Sequence, residues 1–309
     1  MKQKKTFKRK IKAKMSDKSI NNKTKKRTQK TKKYKLHKNY NLFGGNDLEI
    51  KPEDLNPPIR LLRLKGAKQF YVIDDSVCLG GTKQRLLSKY LPLFEQKEII
   101  YAGPDTGMAQ IALAVGCKAF NKQAIVFLNT YKHANPLPIL TQNAIKLGAK
   151  IFYTDSPTGR TLKETQDAAL KYYEEDIENR LLLPFGLHSK EGELTFNCFV
   201  QALQEVLGKI KEPKRLWCVA GSGFLFSVLH HIFPKTKMMI VQVGKKIWPD
   251  QLENMNAKLF IASEKFAENA KEQPPYNTIP WYDAKVWHFV KKYGQDGDYI
   301  WNVAGLRKL

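Results

Sequence analysis

The chain has 309 residues, 42% of them hydrophobic, and carries 53 Lys and Arg against 29 Asp and Glu, a formal net charge of +24 at pH 7. That length and composition suffice for one large domain or two smaller ones with real cores, and no run approaches the roughly 18 apolar residues of a membrane-spanning helix. Cys78, Cys117, Cys198 and Cys218 are far apart, too few for a disulfide scaffold and without metal-ligand spacing, so no metal is expected and the thiols should be reduced and mostly buried.

The charge is unevenly spread. Residues 1–40 hold 18 of the 53 basic residues and a single acid, Asp17, so the remaining chain carries only +7. Ser, Thr, Asn and Gln lie between these charges, and large apolar residues are almost absent. Such a segment cannot bury enough surface to offset its ordering entropy, and its like charges repel; a disordered arm is expected. Two readings of it stand. Dense positive charge at 7–10 and 25–27 suits nucleic-acid attachment or nuclear targeting. A lysine-rich solubilising tail would have the same composition. No apolar signal-peptide core follows the arm, so an intracellular protein, cytoplasmic or nuclear, is expected.

After an irregular stretch from Asn41 to about Pro58, "NPPIRLLRL" enters the fold. "KQFYVIDD" at 68–75 reads as a strand, rich in aromatic and β-branched residues. A short loop leads to Gly80, Gly81 and Thr82, and a helix runs from Lys83 to Leu91. "EIIYAG" at 98–103 is the next strand, followed by a turn and the helix "GMAQIALAVGCKAF". "QAIVFLN" at 123–129 is continuously apolar, as a parallel strand covered on both faces should be. The alternation continues with the helix "PILTQNAIKLGA", the strand "KIFYT" at 150–154 and the helix "TLKETQDAALKYYEEDI". It goes on through the strand "RLLLPFG" at 180–186, the helix "LTFNCFVQALQEVLG", the strand "RLWCVAG" at 215–221 and the helix "FLFSVLHHIF". "KMMIVQVG", the helix "DAKVWHFVKKYG" and the strand "YIWNVAG" complete the pattern. Repeated βαβ spacing makes the fold class α/β, with ligands expected at the carboxyl ends of strands.

Three glycine-containing turns lie at such ends. Gly80 and Gly81 permit a tight turn before Lys83, whose amine, if buried, has a lowered pKa and can be neutral. A neutral amine is what a Schiff base to an aldehyde cofactor requires, although a lysine opening a surface helix is also ordinary. Gly221, Ser222 and Gly223 stand between an apolar strand and a helix. There, exposed N–H groups and the serine hydroxyl suit a single phosphate, or the glycines serve only the turn. The segment lacks the Gly-Lys-Ser/Thr ending of a nucleotide P-loop and a full dinucleotide fingerprint. In the turn 103–107, Asp105 and Thr106 either cap the next helix or offer polar groups to a ligand.

"DDSVCLGGTKQR", "YAGPDTGMAQIALAVGCKAFNKQAIVFL", "LTQNAIKLGAKIF", "LLLPFGL" and "WCVAGSGFLFSVL", in this order and spacing, resemble the pyridoxal-phosphate enzymes of fold type II. That is the tryptophan synthase beta-like group, and the chain is most similar to its D-cysteine desulfhydrase and aminocyclopropane-carboxylate deaminase branch. The resemblance spans roughly residues 56–309, including "PWYDAKVWHFV" and "YIWNVAG". It implies a two-domain fold with parallel sheets and pyridoxal 5'-phosphate in the cleft. A large domain of residues 41–90 and 180–309 would be interrupted by a small α/β domain at 91–179, and the assembly would be a homodimer.

By the same resemblance, Lys83 is the Schiff-base lysine that also moves the substrate proton, and Gly221, Ser222 and Gly223 form the phosphate loop. Asp105, Thr106 and Gly107 hold the substrate carboxylate and the cofactor's 3'-oxygen. Tyr282 lies near the substrate, and Asn302 or a neighbour approaches the pyridine nitrogen. Two departures stand out. Asp105-Thr106 replaces the family's usual Ser-Asn or Gly-Asn pair, and the final loop reads Asn302-Val303-Ala304-Gly305 rather than Thr-Gly-Gly. The expected function is a pyridoxal-phosphate-dependent lyase or deaminase acting on a small amino acid. Two alternatives remain: an enzyme modifying an amino-acid group attached to a nucleobase or nucleic acid, with residues 1–40 as the contact, or an inactive nucleic-acid-binding homologue.

Overall fold

The computed structural model describes residues 48–129, 136–153, 161–188, 192–208 and 210–309. The basic segment 1–40, expected to be a disordered arm, lies outside the described residues. Within them, an α/β architecture is built on two sheets. Strands β1 (Arg60–Leu64), β2 (Phe70–Asp74), β7 (Arg215–Ala220), β8 (Lys237–Gln242), β9 (Ala257–Ile261) and β10 (Asp298–Asn302) form a six-stranded sheet in the order β1-β2-β10-β7-β8-β9. Strands β3 (Glu98–Gly103), β4 (Gln123–Leu128), β5 (Lys150–Tyr153) and β6 (Arg180–Leu182) form a four-stranded sheet in the order β5-β4-β3-β6. Every pairing is parallel except β1 with β2.

The parallel strands are apolar because helices cover both faces. In β7, Leu216 through Ala220 are all buried, as are Ile99 through Gly103 in β3. The helices are α1 (Thr82–Tyr90), α2 (Ala109–Ala119), α3 (Ile139–Lys146), α4 (Leu162–Glu174), α5 (Glu193–Leu207), α6 (Phe224–Ile232) and α7 (Val286–Tyr293). Helix α2 is almost wholly buried, which its small residues permit. Gly80 meets it so closely that an added Cβ would stand 2.4 Å from Ala112 Cα. Helix α4 opens with a capping box: the Thr161 hydroxyl accepts from the Glu164 N–H, and the Glu164 carboxylate accepts from the Thr161 N–H. The four cysteines are free thiols and buried.

Strand β6 falls beyond residue 179, the expected end of the smaller region, yet it extends the four-stranded sheet. Its register places Arg180 opposite Glu98, whose carboxylate accepts from Arg180 Nε at 2.9 Å and from the Tyr172 hydroxyl at 2.9 Å. Strand β9 was not anticipated, because it follows β8 through a 3₁₀ turn at Pro249–Leu252 and not through an α-helix. Among the described residues, no helix is long and apolar enough to cross a membrane.

Candidate active site

A cavity of 440 Å³ opens where both sheets present the carboxyl ends of their parallel strands. Its wall includes Asn129 after β4, Phe185 after β6, Gly221 after β7, Gly244 after β8 and Val303 after β10. The two sheets thus contribute to one site by the rule that governs open parallel sheets.

Lys83 lies in this wall, in the first turn of α1. The helix start is held from two directions. Gly81 takes φ +66°, and a Cβ there would approach Val303 O to 2.5 Å, so the position demands glycine on both counts. The Thr82 N–H donates to Val303 O at 2.8 Å, and the Trp301 indole N–H donates to the Thr82 hydroxyl at 2.9 Å. Burial disfavours the charged ammonium and lowers the Lys83 pKa from 10.5 to about 8. Part of the amine is therefore neutral and nucleophilic near neutral pH, and most of it above about 8.

The turn Gly221-Ser222-Gly223 also lines the cavity. Gly223 takes φ +92° and immediately precedes α6, whose first residues, Phe224 to Phe226, face the cavity too. The opening N–H groups of a helix have no intrahelical acceptor and carry its positive end, so they form an anion cradle. A Cβ at Gly221 would lie 2.8 Å from the Tyr282 hydroxyl oxygen. Tyr282 therefore stands against the phosphate-type turn, and burial raises its pKa far above the usual phenol range.

Thr106 and Gly107 reach the cavity from the four-stranded sheet. The Thr106 carbonyl accepts the Trp281 indole N–H at 3.0 Å, which ties this turn to the segment that carries Tyr282. Asp105 is not in the wall; its carbonyl caps locally by accepting from Gln110 Nε2 at 2.6 Å. Asn302 is also outside the wall. Its register opposite Asp74 lets Nδ2 donate to Asp74 Oδ1 at 2.7 Å and to Asn277 O at 2.8 Å. Sequence placed Asn302 at a ring nitrogen; the structure uses it to brace β10 against β2.

Asp283 is the residue that sequence reasoning missed. It is buried, lines the cavity and accepts from the Val303 N–H at 3.3 Å through Oδ1, while Oδ2 has no hydrogen-bond partner. Burial raises its pKa well above the carboxylate range. Its adjacency to Tyr282 in "WYDAK" was the available signal, but an acid at a helix start reads first as a cap. His188 is exposed and stacks on Phe224 at 4.4 Å between centroids, and it does not line the cavity.

These features fit pyridoxal phosphate. The Gly221–Gly223 turn lines the cavity where α6 begins, and the same wall holds Lys83 and the buried Asp283, whose Oδ2 has no hydrogen-bond partner. No family model and no curated protein matches the chain. Solved structures do. An aminocyclopropane-carboxylate deaminase homologue superposes with TM-score 0.63 at 17% identity, covering 81% of this chain and 90% of that one. A hydrogen sulfide-producing enzyme from Fusobacterium nucleatum gives 0.56 at 15% identity, covering 82% and 95%. The holo diaminopropionate ammonia lyase of Escherichia coli gives 0.57 at 11% identity, covering 82% and 87%. The fold is pyridoxal-phosphate fold type II. At these identities the likeness extends to the fold alone, and the chemistry must come from the residues in the cavity.

Proposed function

We propose that the protein is a pyridoxal-phosphate-dependent lyase or deaminase acting on a small amino acid. The observation that carries this is Lys83, an amine of lowered pKa facing a cavity that has an anion cradle and a buried orphan carboxyl. That cavity lies in a fold shared with a deaminase homologue and an ammonia lyase. When bound, the cofactor supplies an aldehyde that condenses with an amine and a ring that draws electrons from the adjacent carbon.

The chain's own residues do the rest. Lys83 Nζ would hold the cofactor's aldehyde carbon and, as a neutral amine, would serve as the base for the proton on the substrate's Cα. The N–H groups opening α6 and the Ser222 hydroxyl would hold the phosphate. Asp283, whose carboxyl burial pushes toward the protonated form, would face the ring nitrogen and hold a proton there. Thr106 and the N–H groups opening α2 orient the substrate carboxylate. Tyr282 backs the phosphate turn and presents its hydroxyl beside Gly221. The apolar walls exclude water from the proton transfer.

Absorbance and borohydride reduction test this reading. The full chain with added cofactor should develop a visible band, and reduction should fix the cofactor to Lys83. Lys83→Ala should lose the fixed adduct while remaining folded by circular dichroism. A protein that stays colourless, or an adduct on another lysine, overturns the assignment.

A further inference from the structure

A phosphate dianion is poorly matched by a helix N-terminus alone, which offers about half an elementary charge. Among the described residues, the cavity wall contains two cationic side chains, Lys83 and Lys245. Lys83 is committed to the aldehyde in the reading above. Lys245 has no such duty.

Three turns converge on Ser222. The turn after β8 packs backbone against backbone on the phosphate turn: the Lys245 N–H donates to Gly221 O at 3.0 Å, and a Cβ on Gly244 would stand 2.9 Å from Gly221 Cα. The turn after β6 closes the other side, where a Cβ on Gly186 would lie 3.3 Å from the Ser222 hydroxyl. The Lys245 ammonium rests 4.6 Å from the centroid of the Phe185 ring, itself part of the wall. Neither a salt bridge nor a side-chain hydrogen bond ties it to any carboxylate among the described residues. The next residue makes the contrast plain. The Lys246 ammonium lies over Trp248, an exposed ring, 4.1 Å from its centroid, and is absent from the wall.

We propose that Lys245, held beside Ser222 by the packing of Gly244 on Gly221, is the cation that recognises the cofactor's phosphate. This rests on the pyridoxal-phosphate reading above. The aromatic face keeps the ammonium oriented without neutralising it, leaving its charge for the ligand. The chemistry recognised is a terminal phosphate monoester dianion. The competing source of an anion is a second carboxylate on the substrate.

The experiment titrates the full chain, stripped of cofactor, with pyridoxal phosphate and with unphosphorylated pyridoxal, following the visible band. Lys245→Gln should raise the Kd for pyridoxal phosphate about tenfold or more, as loss of a charge-assisted hydrogen bond would. The Kd for pyridoxal should stay unchanged, and Lys245→Arg should restore much of the loss. Thermal melts give an arm independent of the aldehyde: inorganic phosphate should raise the Tm of the unmodified chain and raise that of Lys245→Gln less. Equal losses for both cofactor forms would overturn the proposal, since Lys245 would then act through packing. So would unchanged cofactor affinity with a raised substrate KM, which would assign the charge to the substrate, or equal Tm responses to phosphate. A wild-type chain that gives no band with either compound would instead sink the cofactor reading, and the phosphate melts would still decide the role of Lys245.

Discussion

The two sheets build their halves of the cavity in different ways. On the six-stranded side, side-chain hydrogen bonds tie several cavity-lining residues, and the strand ends behind them, to other elements. Thr82 is tied to Val303 and Trp301, Asp283 to Val303, and Asn302 to Asp74. Beneath them, Arg85 Nε donates to Asp75 Oδ1 at 2.9 Å, with both side chains fully buried. On the four-stranded side, the strands are equally well packed, but the turn 104–107 is tied mainly by the Trp281 indole and by Gln110. The stitched half holds Lys83, the anion cradle and Asp283. The lightly tied half offers Thr106 and Gly107. In the proposed reading, the first half would hold a cofactor in one fixed geometry and the second would admit and release a substrate.

The largest effect should come from breaking the stitched half at its base. Asp75→Ala leaves the buried Arg85 guanidinium without its carboxylate, and loss of one partner of a buried pair costs about 3–5 kcal/mol. Urea denaturation should show that loss as a lowered midpoint. A change below about 1 kcal/mol would mean that Asn56 and Pro57, which also accept from Arg85, suffice alone.

A second effect concerns pH. Capture of the cofactor requires neutral Lys83, so its rate should rise with pH and level off above about 8, the lowered value, rather than climbing on toward 10.5. The sign follows from burial: the folded chain releases this proton more readily than the unfolded chain does. Stopped-flow absorbance across a pH series reads the midpoint directly. A midpoint near 10 would mean that the amine is solvated and the cavity open around it.

The smallest effect probes the lightly tied half. Trp281→Phe removes the donor to Thr106 O and should cost about 1 kcal/mol at most. Its signature is a raised substrate KM with unchanged cofactor affinity, measured by steady-state kinetics beside a cofactor titration. Loss of cofactor affinity instead would show that the two halves are not separable in this way.

The sequence by itself determined the class of fold. A continuously apolar run such as 123–128 suits a parallel strand covered on both faces, and the alternation of such strands with helices points to where glycine turns collect. Lys83, Thr106 and the turn 221–223 were legible because each follows a strand end, and strand ends point to one side of a parallel sheet. Gly81 was legible for the same local reason, since φ +66° needs a residue without a Cβ. What only the tertiary structure decided was which side chains from distant strands meet. Asn302 was assigned to the cavity and turned instead to Asp74, because the register of β10 beside β2 sets neighbours that no linear pattern contains. Asp283 and Lys245 were not picked out, since an acid at a helix start and a lysine in a turn are ordinary until burial or a shared wall gives them a partner. Register and backbone packing join positions that lie far outside a single element, 228 residues apart for Asn302 and Asp74, and that distance is what local propensity cannot carry.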